Sequence, residues 1–178
     1  MNLKKYKILS VFIIFLLMFP LHYVYDKFPN SLTSIFCPVN ESIWEHLKLI
    51  FTSYMIYGII SYFVYIKNKI DVNNFIFDLF ITSIINIIIF LIIFIPIYNV
   101  IGENLVVTLS IFFVTEIITQ FISYFILKKD NIKYLNIISF ILIIVSYIIF
   151  GYLTYNPIKT ELFFDPINKS YGINTYVI

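Results

Sequence analysis

The sequence predicts an all-α integral membrane protein, a bundle of five transmembrane helices. Its 178 residues are 61% hydrophobic and only 12% charged, with a mean hydropathy of +0.94, whereas soluble domains carry about 25% charged residues. The long apolar runs are also close to the roughly 20 residues that a helix needs to cross a bilayer. A transmembrane β-barrel is excluded because runs such as residues 84–96 do not alternate polar and apolar side chains.

The first predicted span covers about residues 8–25, directly behind a cluster of lysines. Its beginning resembles a secretory signal peptide, in which basic residues precede an apolar run. Cleavable signals end at a site with small residues, whereas this apolar segment continues into Phe19 and Pro20. We therefore expect an uncleaved membrane anchor.

The remaining spans are separated by short polar breaks and are predicted at about residues 41–66, 75–95, 104–127 and 134–153. Pro96, Gly102 and the polar cluster at residues 128–131 are expected to end the apolar runs, because such residues interrupt helices. Residues 1–153 are therefore predicted to form the transmembrane domain. Residues 154–178 are too short for a second domain, and we expect this tail to pack on the outer face of the bundle.

Lysine placement predicts the orientation, because basic residues near span ends stay on the cytoplasmic side. A cytoplasmic N-terminus puts only Lys27, Lys159 and Lys169 clearly outside. The same orientation puts eight lysines inside: Lys4, Lys5, Lys7, Lys67, Lys69, Lys128, Lys129 and Lys133. We therefore predict a multi-pass protein of the cell membrane whose C-terminal tail is extracytoplasmic.

A run of mostly polar residues, Pro-Val-Asn-Glu-Ser-Ile-Trp-Glu-His-Leu-Lys at positions 38–48, begins the second span. At 1.5 Å of rise per residue, His22 and Asp26 lie in the same outward layer, one helical turn apart. Histidine and carboxylate side chains at such spacing can converge on one cation. We therefore predict a divalent metal such as zinc at His22, Asp26, Glu45 and His46.

An enzymatic hypothesis gives these residues roles in an intramembrane metal-dependent hydrolase that acts on lipid or peptide. In it, His22, His46 and Glu45 hold a metal that activates water. Glu41 or Asp165 transfers protons, so the catalytic candidates are Glu41, Glu45 and Asp165. The pattern does not contain the zinc-protease motif H-E-x-x-H, and no recognisable motif frames a Cys or Ser nucleophile.

A structural alternative explains each residue of the run separately. Asn40 is a common N-cap residue, and Glu41 in a first helical turn is favoured by the helix dipole. Trp44 is typical of a membrane-interface anchor, and Lys48 can extend its amine outward to water. Asn40, Trp44 and Lys48 are also candidates for binding a small ligand at this end of the bundle.

A second polar layer lies deeper in the predicted bilayer, where Asn86 and Glu116 are about 17 Å from the cytoplasmic ends of their spans. At that depth the two side chains can hydrogen-bond across a helix interface. An ionisable residue inside a span is costly and often functional. Asn86 and Glu116 are therefore candidates for an ion or proton pathway, and polar contact between helices is the alternative.

The motif at positions 38–48, together with Leu-His-x-x-Tyr-Asp at 21–26 and Leu-Phe-x-Asp-Pro at 162–166, resembles a family of uncharacterised small integral membrane proteins found mainly in Firmicutes. The resemblance implies membrane residence and carries no assigned activity. It groups six ionisable residues as motif positions: His22, Asp26, Glu41, Glu45, His46 and Asp165.

Three functions remain open on the sequence alone. The first is a polytopic membrane protein whose outer polar cluster binds an ion or small ligand or caps the bundle. The second is the metal-dependent hydrolase, and the third is a small transporter or channel component that uses Glu116, with oligomerisation left open. The expected partner is the lipid bilayer. A nucleic-acid partner is not expected, since the lysines lie in short loops without a continuous basic surface.

Overall fold

The computed structural model describes residues 1–173 and the backbone of the short strand Thr175–Tyr176. Of the predicted tail at residues 154–178, positions 174, 177 and 178 lie outside the described residues. The described part is predominantly helical. The long apolar runs predict this, because a segment surrounded by lipid must satisfy its peptide groups by hydrogen bonds within itself.

Within the described residues the chain forms seven α-helices: α1 (Leu3–His22), α2 (Val24–Lys27), α3 (Ser31–Phe36), α4 (Ile43–Asn68), α5 (Phe75–Ile101), α6 (Leu105–Lys128) and α7 (Lys133–Tyr155). Five helical segments are long and apolar enough to cross a membrane, namely α1 with α2, and α4 to α7. The five predicted spans are therefore confirmed as helices.

One predicted boundary is wrong, because Pro96 does not end the third long helix. Helix α5 passes through Pro96 and continues to Ile101. Residues 97–101 are therefore helical, although they were expected to lie between the spans predicted at about residues 75–95 and 104–127. Gly102 ends the helix with a φ of 72°, a conformation that favours glycine. Proline removes only one backbone donor, and apolar surroundings favour continuing the helix over exposing the following peptide groups.

Helices α1, α4, α5 and α6 form a four-membered ring in which each contacts the next, and α7 packs outside the ring against α5 and α3. The N-terminus of α1 meets the end of α4, where the Met1 amine donates to Asn68 Oδ1 over 3.2 Å. We call this the lysine end. The opposite end, where His22 closes α1 and His46 lies in the first turns of α4, is called the histidine end.

Close helix packing is visible where α4 crosses α5. A side-chain carbon placed on Gly58 would overlap the Leu79 side chain, so glycine permits this approach. In contrast, large apolar side chains on the outer face of α7 are exposed, including Ile138, Phe140 and Ile148. An apolar outer face of this kind is what a lipid-solvated helix presents.

The histidine end is covered by two elements that hydropathy does not reveal. The first is α3, whose start is closed by a reciprocal capping box between Asn30 and Thr33. The second is the tail, which forms a 3₁₀ turn at Glu161–Phe163 and two-residue antiparallel strands β1 (Phe164–Asp165), β2 (Ser170–Tyr171) and β3 (Thr175–Tyr176), in the order β1-β2-β3. The 3₁₀ turn lies against α4.

Candidate metal centre

Helix α4 begins two residues later than the sequence indicated. Its N-cap is Ser42, whose hydroxyl accepts from the Glu45 N–H, so the predicted N-cap at Asn40 is wrong. Asn40 Oδ1 instead accepts from the Ser42 N–H over 2.9 Å and holds a turn in front of the helix. Because Glu41 precedes the helix, it does not lie on the same helical face as Glu45, and its side chain can turn toward α1.

Glu41 lies between the two histidines. Its Oε2 atom is 3.4 Å from His22 Nε2 and 3.6 Å from His46 Nε2. One ligand atom of each of the three residues lies within 4.8 Å of the other two. In a tetrahedral zinc site with bonds of about 2.0–2.2 Å, the ligand atoms are about 3.4 Å apart. The carboxylate oxygen is therefore already close to the required separation from both imidazoles.

The tautomer of His46 follows from its backbone contact. His46 Nδ1 is 2.9 Å from the Ser42 carbonyl oxygen, which can only accept, so Nδ1 carries the proton. In the neutral form of the ring, the lone pair is then on Nε2, the atom that lies 3.6 Å from Glu41 Oε2. Two facing acceptors need a proton or a metal ion between them, and a histidine N–H bonded to a backbone carbonyl is the usual support of a metal ligand.

The Glu41 carboxylate is in the charge state that a metal ligand needs. Its hydrogen bond to His22 lowers the pKa of the Glu41 carboxyl below its ordinary value, and this effect outweighs the opposing effect of partial burial. Because the pKa is lowered, Glu41 remains ionised at neutral pH and becomes protonated only under more acidic conditions. The carboxylate is half-buried, so it is accessible from the outer surface.

The other predicted metal ligands lie elsewhere. Asp26 is exposed and is not among the three residues whose ligand atoms converge. Glu45 is buried, and its Oε2 atom accepts from Lys48 Nζ over 2.6 Å and from the Val39 N–H over 3.0 Å. With its oxygens engaged in this way, Glu45 serves a different cluster from the two histidines.

Lys48 is the centre of that second cluster. The prediction that its amine extends outward to water is wrong, because the side chain is 0% exposed. Its Nζ atom donates to Ser34 O and Thr154 Oγ1, both over 2.7 Å, in addition to Glu45. Thr154 also donates to Glu45 Oε1 over 3.0 Å. This buried ion pair connects α3, α4 and α7.

The remaining candidates at the histidine end are Trp44, Asn40 and Asp165, and the first two attach the tail to the helices. Trp44 stacks on Phe163 with ring centroids 4.7 Å apart, and Asn40 Nδ2 donates to the Gly172 carbonyl over 3.1 Å. Asp165, a catalytic candidate from sequence, is fully buried and caps its own turn. Its Oδ1 accepts from the Ile167 N–H, and Oδ2 accepts from the Asn168 amide.

The metal-ligand cluster opens into a cavity of about 970 Å³ inside the four-helix ring. His22, Glu41 and His46 all line it at the histidine end. Its other walls are mostly aromatic and aliphatic, and residues of the tail such as Leu162 cover it. An ion bound by the three side chains would therefore face this space.

The deeper candidates form a closed network. Asn86 Nδ2 donates to Glu116 Oε1 over 2.7 Å, which confirms the expected bond across the α5 and α6 interface. The Tyr54 hydroxyl donates to Glu116 Oε2 over 3.0 Å, and Thr115 donates to Asn86 Oδ1. All four residues are buried. This network favours polar contact between helices, and transport through Glu116 remains a prediction.

Sequence reasoning made Glu41 a catalytic candidate and did not group it with His22 and His46 as a candidate metal ligand, although a signal was present. Ser42-x-x-Glu45 in front of an apolar run is the capping-box pattern, which indicates Ser42 as N-cap and leaves Glu41 outside the helix. Ser34 and Thr154, which bind Lys48, had no comparable signal. Their contacts depend on how α3 and α7 pack, which local sequence does not encode.

Comparison with known proteins assigns the chain to a family but gives no function. A family model described as a family of unknown function (DUF6512) matches residues 1–173. No curated protein and no solved structure matches the chain. The arrangement of the site itself must therefore carry the functional argument.

Proposed function

We propose that this chain, which belongs to the family of unknown function DUF6512, is a membrane protein that binds a divalent metal ion at His22, Glu41 and His46. The observation that carries this proposal is the convergence of three ligand atoms from two helices and one turn within 4.8 Å. Side chains separated by 19 and 24 residues in sequence meet there, and each is of a type that ligates first-row metals.

Zinc is the ion that this set of ligands fits best. Two imidazoles and one carboxylate, with a fourth position left for water or substrate, are typical of catalytic rather than structural zinc sites. The cluster contains no thiolate, which disfavours a site for copper(I) or an iron–sulfur cluster. Calcium and magnesium prefer sites made wholly of oxygen ligands.

The direct test is the metal content of purified protein. After expression with added zinc and removal of unbound metal, we expect about one zinc ion per chain, with a thermal midpoint that falls when the metal is chelated. Elemental mass spectrometry measures the zinc content, and circular dichroism measures the thermal midpoint. A metal-free protein that zinc neither binds nor stabilises would contradict the proposal.

Hydrolysis is a second candidate function, favoured by the open side of the cluster facing the cavity. A zinc ion held by His22, Glu41 and His46 would supply an activated water for hydrolysis of an acyl ester, in which the water oxygen would bond to the acyl carbon, the ester carbon–oxygen bond would break and a proton would pass to the leaving alkoxide. The revised ligand set differs from the sequence-based one, since Glu41 replaces Glu45 and Asp26. Release of fatty acid from a neutral acyl ester by the zinc-loaded protein tests this hypothesis.

The proposed membrane protein has its lysine end in the cytoplasm and its histidine end outside, in contact with the lipid bilayer along α1 and α4 to α7. Five apolar helices and the exposed aliphatic faces support insertion, and the lysine distribution supports the orientation. In this orientation the metal centre takes its ion from the extracytoplasmic side.

Cysteine labelling in intact cells tests that orientation. The native Cys37 is a poor reporter because it is 3% exposed and burial raises the pKa of its thiol. In a Cys37→Ala background, the exposed Ser31 and Asn131 lie at opposite ends of the bundle. A membrane-impermeant maleimide is expected to label Ser31→Cys in intact cells and Asn131→Cys only after lysis; the reverse pattern would invert the topology.

A further inference from the structure

We infer that the cavity below the metal centre binds the hydrocarbon part of an amphiphile whose uncharged carbonyl end reaches the metal. This inference rests on the proposed metal site and names the class of ligand that the site takes. It follows from three features of the cavity: its apolar walls, its closed inner end and the charge of its outer end.

The cavity runs along the helices rather than across the surface. On α1 its lining extends from Phe15 to His22, and on α5 from Phe90 to Asn99. At 1.5 Å of rise per residue these segments correspond to a depth of about 10–13 Å. The volume of about 970 Å³ is at the upper limit of small-molecule sites, which are about 300–1,000 Å³. A mostly apolar space of this depth and volume can hold the hydrocarbon part of an amphiphile.

The inner end is closed by an aromatic pair. Phe90 and Phe112 stack with their ring centroids 4.2 Å apart and their planes inclined by 4°. Asn86 and Glu116 lie one helical turn further in and do not line the cavity. An occupant that enters from the histidine end therefore meets aromatic carbon at its tip, and its polar group remains at the metal centre.

The outer end selects the polar group of the occupant. Besides Glu41, the carboxyl-bearing residues Glu103 and Glu161 line this part of the cavity, together with His22 and His46. With neutral imidazoles and a zinc ion, three carboxylates leave a net charge of −1, which repels a carboxylate or phosphate headgroup. An uncharged ester or amide carbonyl can approach the metal without that repulsion.

A zinc-binding amphiphile tests the inference. In cobalt-loaded protein held in phosphatidylcholine nanodiscs, dodecanohydroxamic acid and acetohydroxamic acid carry the same metal-chelating group, which is uncharged in solution at neutral pH, on a long and a short chain. Both are expected to change the visible cobalt spectrum. Leu109, which lines the cavity, is replaced with tryptophan to fill it, and the lipid-facing Leu142 is replaced with tryptophan as the matched control.

We expect Leu109→Trp to weaken the binding of dodecanohydroxamic acid at least tenfold and to leave the affinity for acetohydroxamic acid unchanged. Leu142→Trp should change neither affinity. Thr108→Phe, a second substitution in the cavity wall, is expected to act in the same direction if Leu109→Trp does not fold. Equal effects on both compounds, or none on the long chain, would overturn the chain-binding inference alone. Failure of wild-type protein to bind cobalt would overturn the metal site and, with it, this inference.

Discussion

Replacing His46 with alanine is expected to abolish zinc binding while the bundle remains folded. The change removes one of three ligand atoms, and we expect zinc affinity to fall by more than about 100-fold, the largest effect that loss of a supporting partner of a metal ligand causes. His22 and Glu41 remain 3.4 Å apart and can still pair. Isothermal titration with zinc measures the affinity, and circular dichroism measures the fold.

A matched pair of acid-to-amide changes provides the control. Glu41→Gln removes the bridging carboxylate and should weaken zinc binding as His46→Ala does. Glu161→Gln changes the same chemical group in the lining of the same cavity, outside the converging cluster, and should leave affinity within about threefold. If His46→Ala and Glu41→Gln keep wild-type affinity, the zinc ion is bound elsewhere.

Replacing Lys48 with methionine is expected to be the most destabilising single substitution at the histidine end. The ammonium is 0% exposed and neutralises Glu45 at 2.6 Å, so its removal leaves a carboxylate buried without a cation. Breaking a buried ion pair in this way costs about 3–5 kcal/mol of unfolding free energy. The carbonyl of Ser34 also loses its donor. Thermal unfolding in detergent measures the loss.

Two variants separate the buried charge from other effects of the change. Lys27→Met removes the same group from an exposed site at the same end and should change stability by less than about 0.5 kcal/mol. The double variant Lys48→Met with Glu45→Met removes both charges and should recover part of the loss. A Lys48→Met protein as stable as Lys27→Met would show that the ion pair does not hold α3 and α7 in place.

The helices themselves were largely predictable, because hydropathy and length report directly on whether a segment can cross lipid. The boundaries were less so. Pro96 suggested a break, yet α5 continues to Ile101, since the peptide groups of the mostly apolar residues 97–101 are satisfied in a helix. The six-residue helix α3 had no hydropathy signal, and its start depends on the local capping box at Asn30.

The candidate site was only partly predictable. His22 and His46 were expected to share a layer and do, with ring centroids 5.4 Å apart. Glu45 was expected to join them as a metal ligand because it precedes His46 directly and lies in the same layer. The Ser42 cap excludes Glu41 from the helix, and Lys48 engages Glu45 inside the bundle, so Glu41 rather than Glu45 lies against the two histidines.

The sequence by itself determined the class of the protein, its five long apolar helices and the polar motif at one end, since each depends on composition and spacing along a single segment. Tertiary structure decided which acid lies against the histidines, which one is neutralised by Lys48, and that a mostly apolar cavity lies beneath them. The physical reason is that a side chain's partner depends on how the helices pack and on which residue begins the helix, and moving the N-cap from Asn40 to Ser42 takes Glu41 out of the helix.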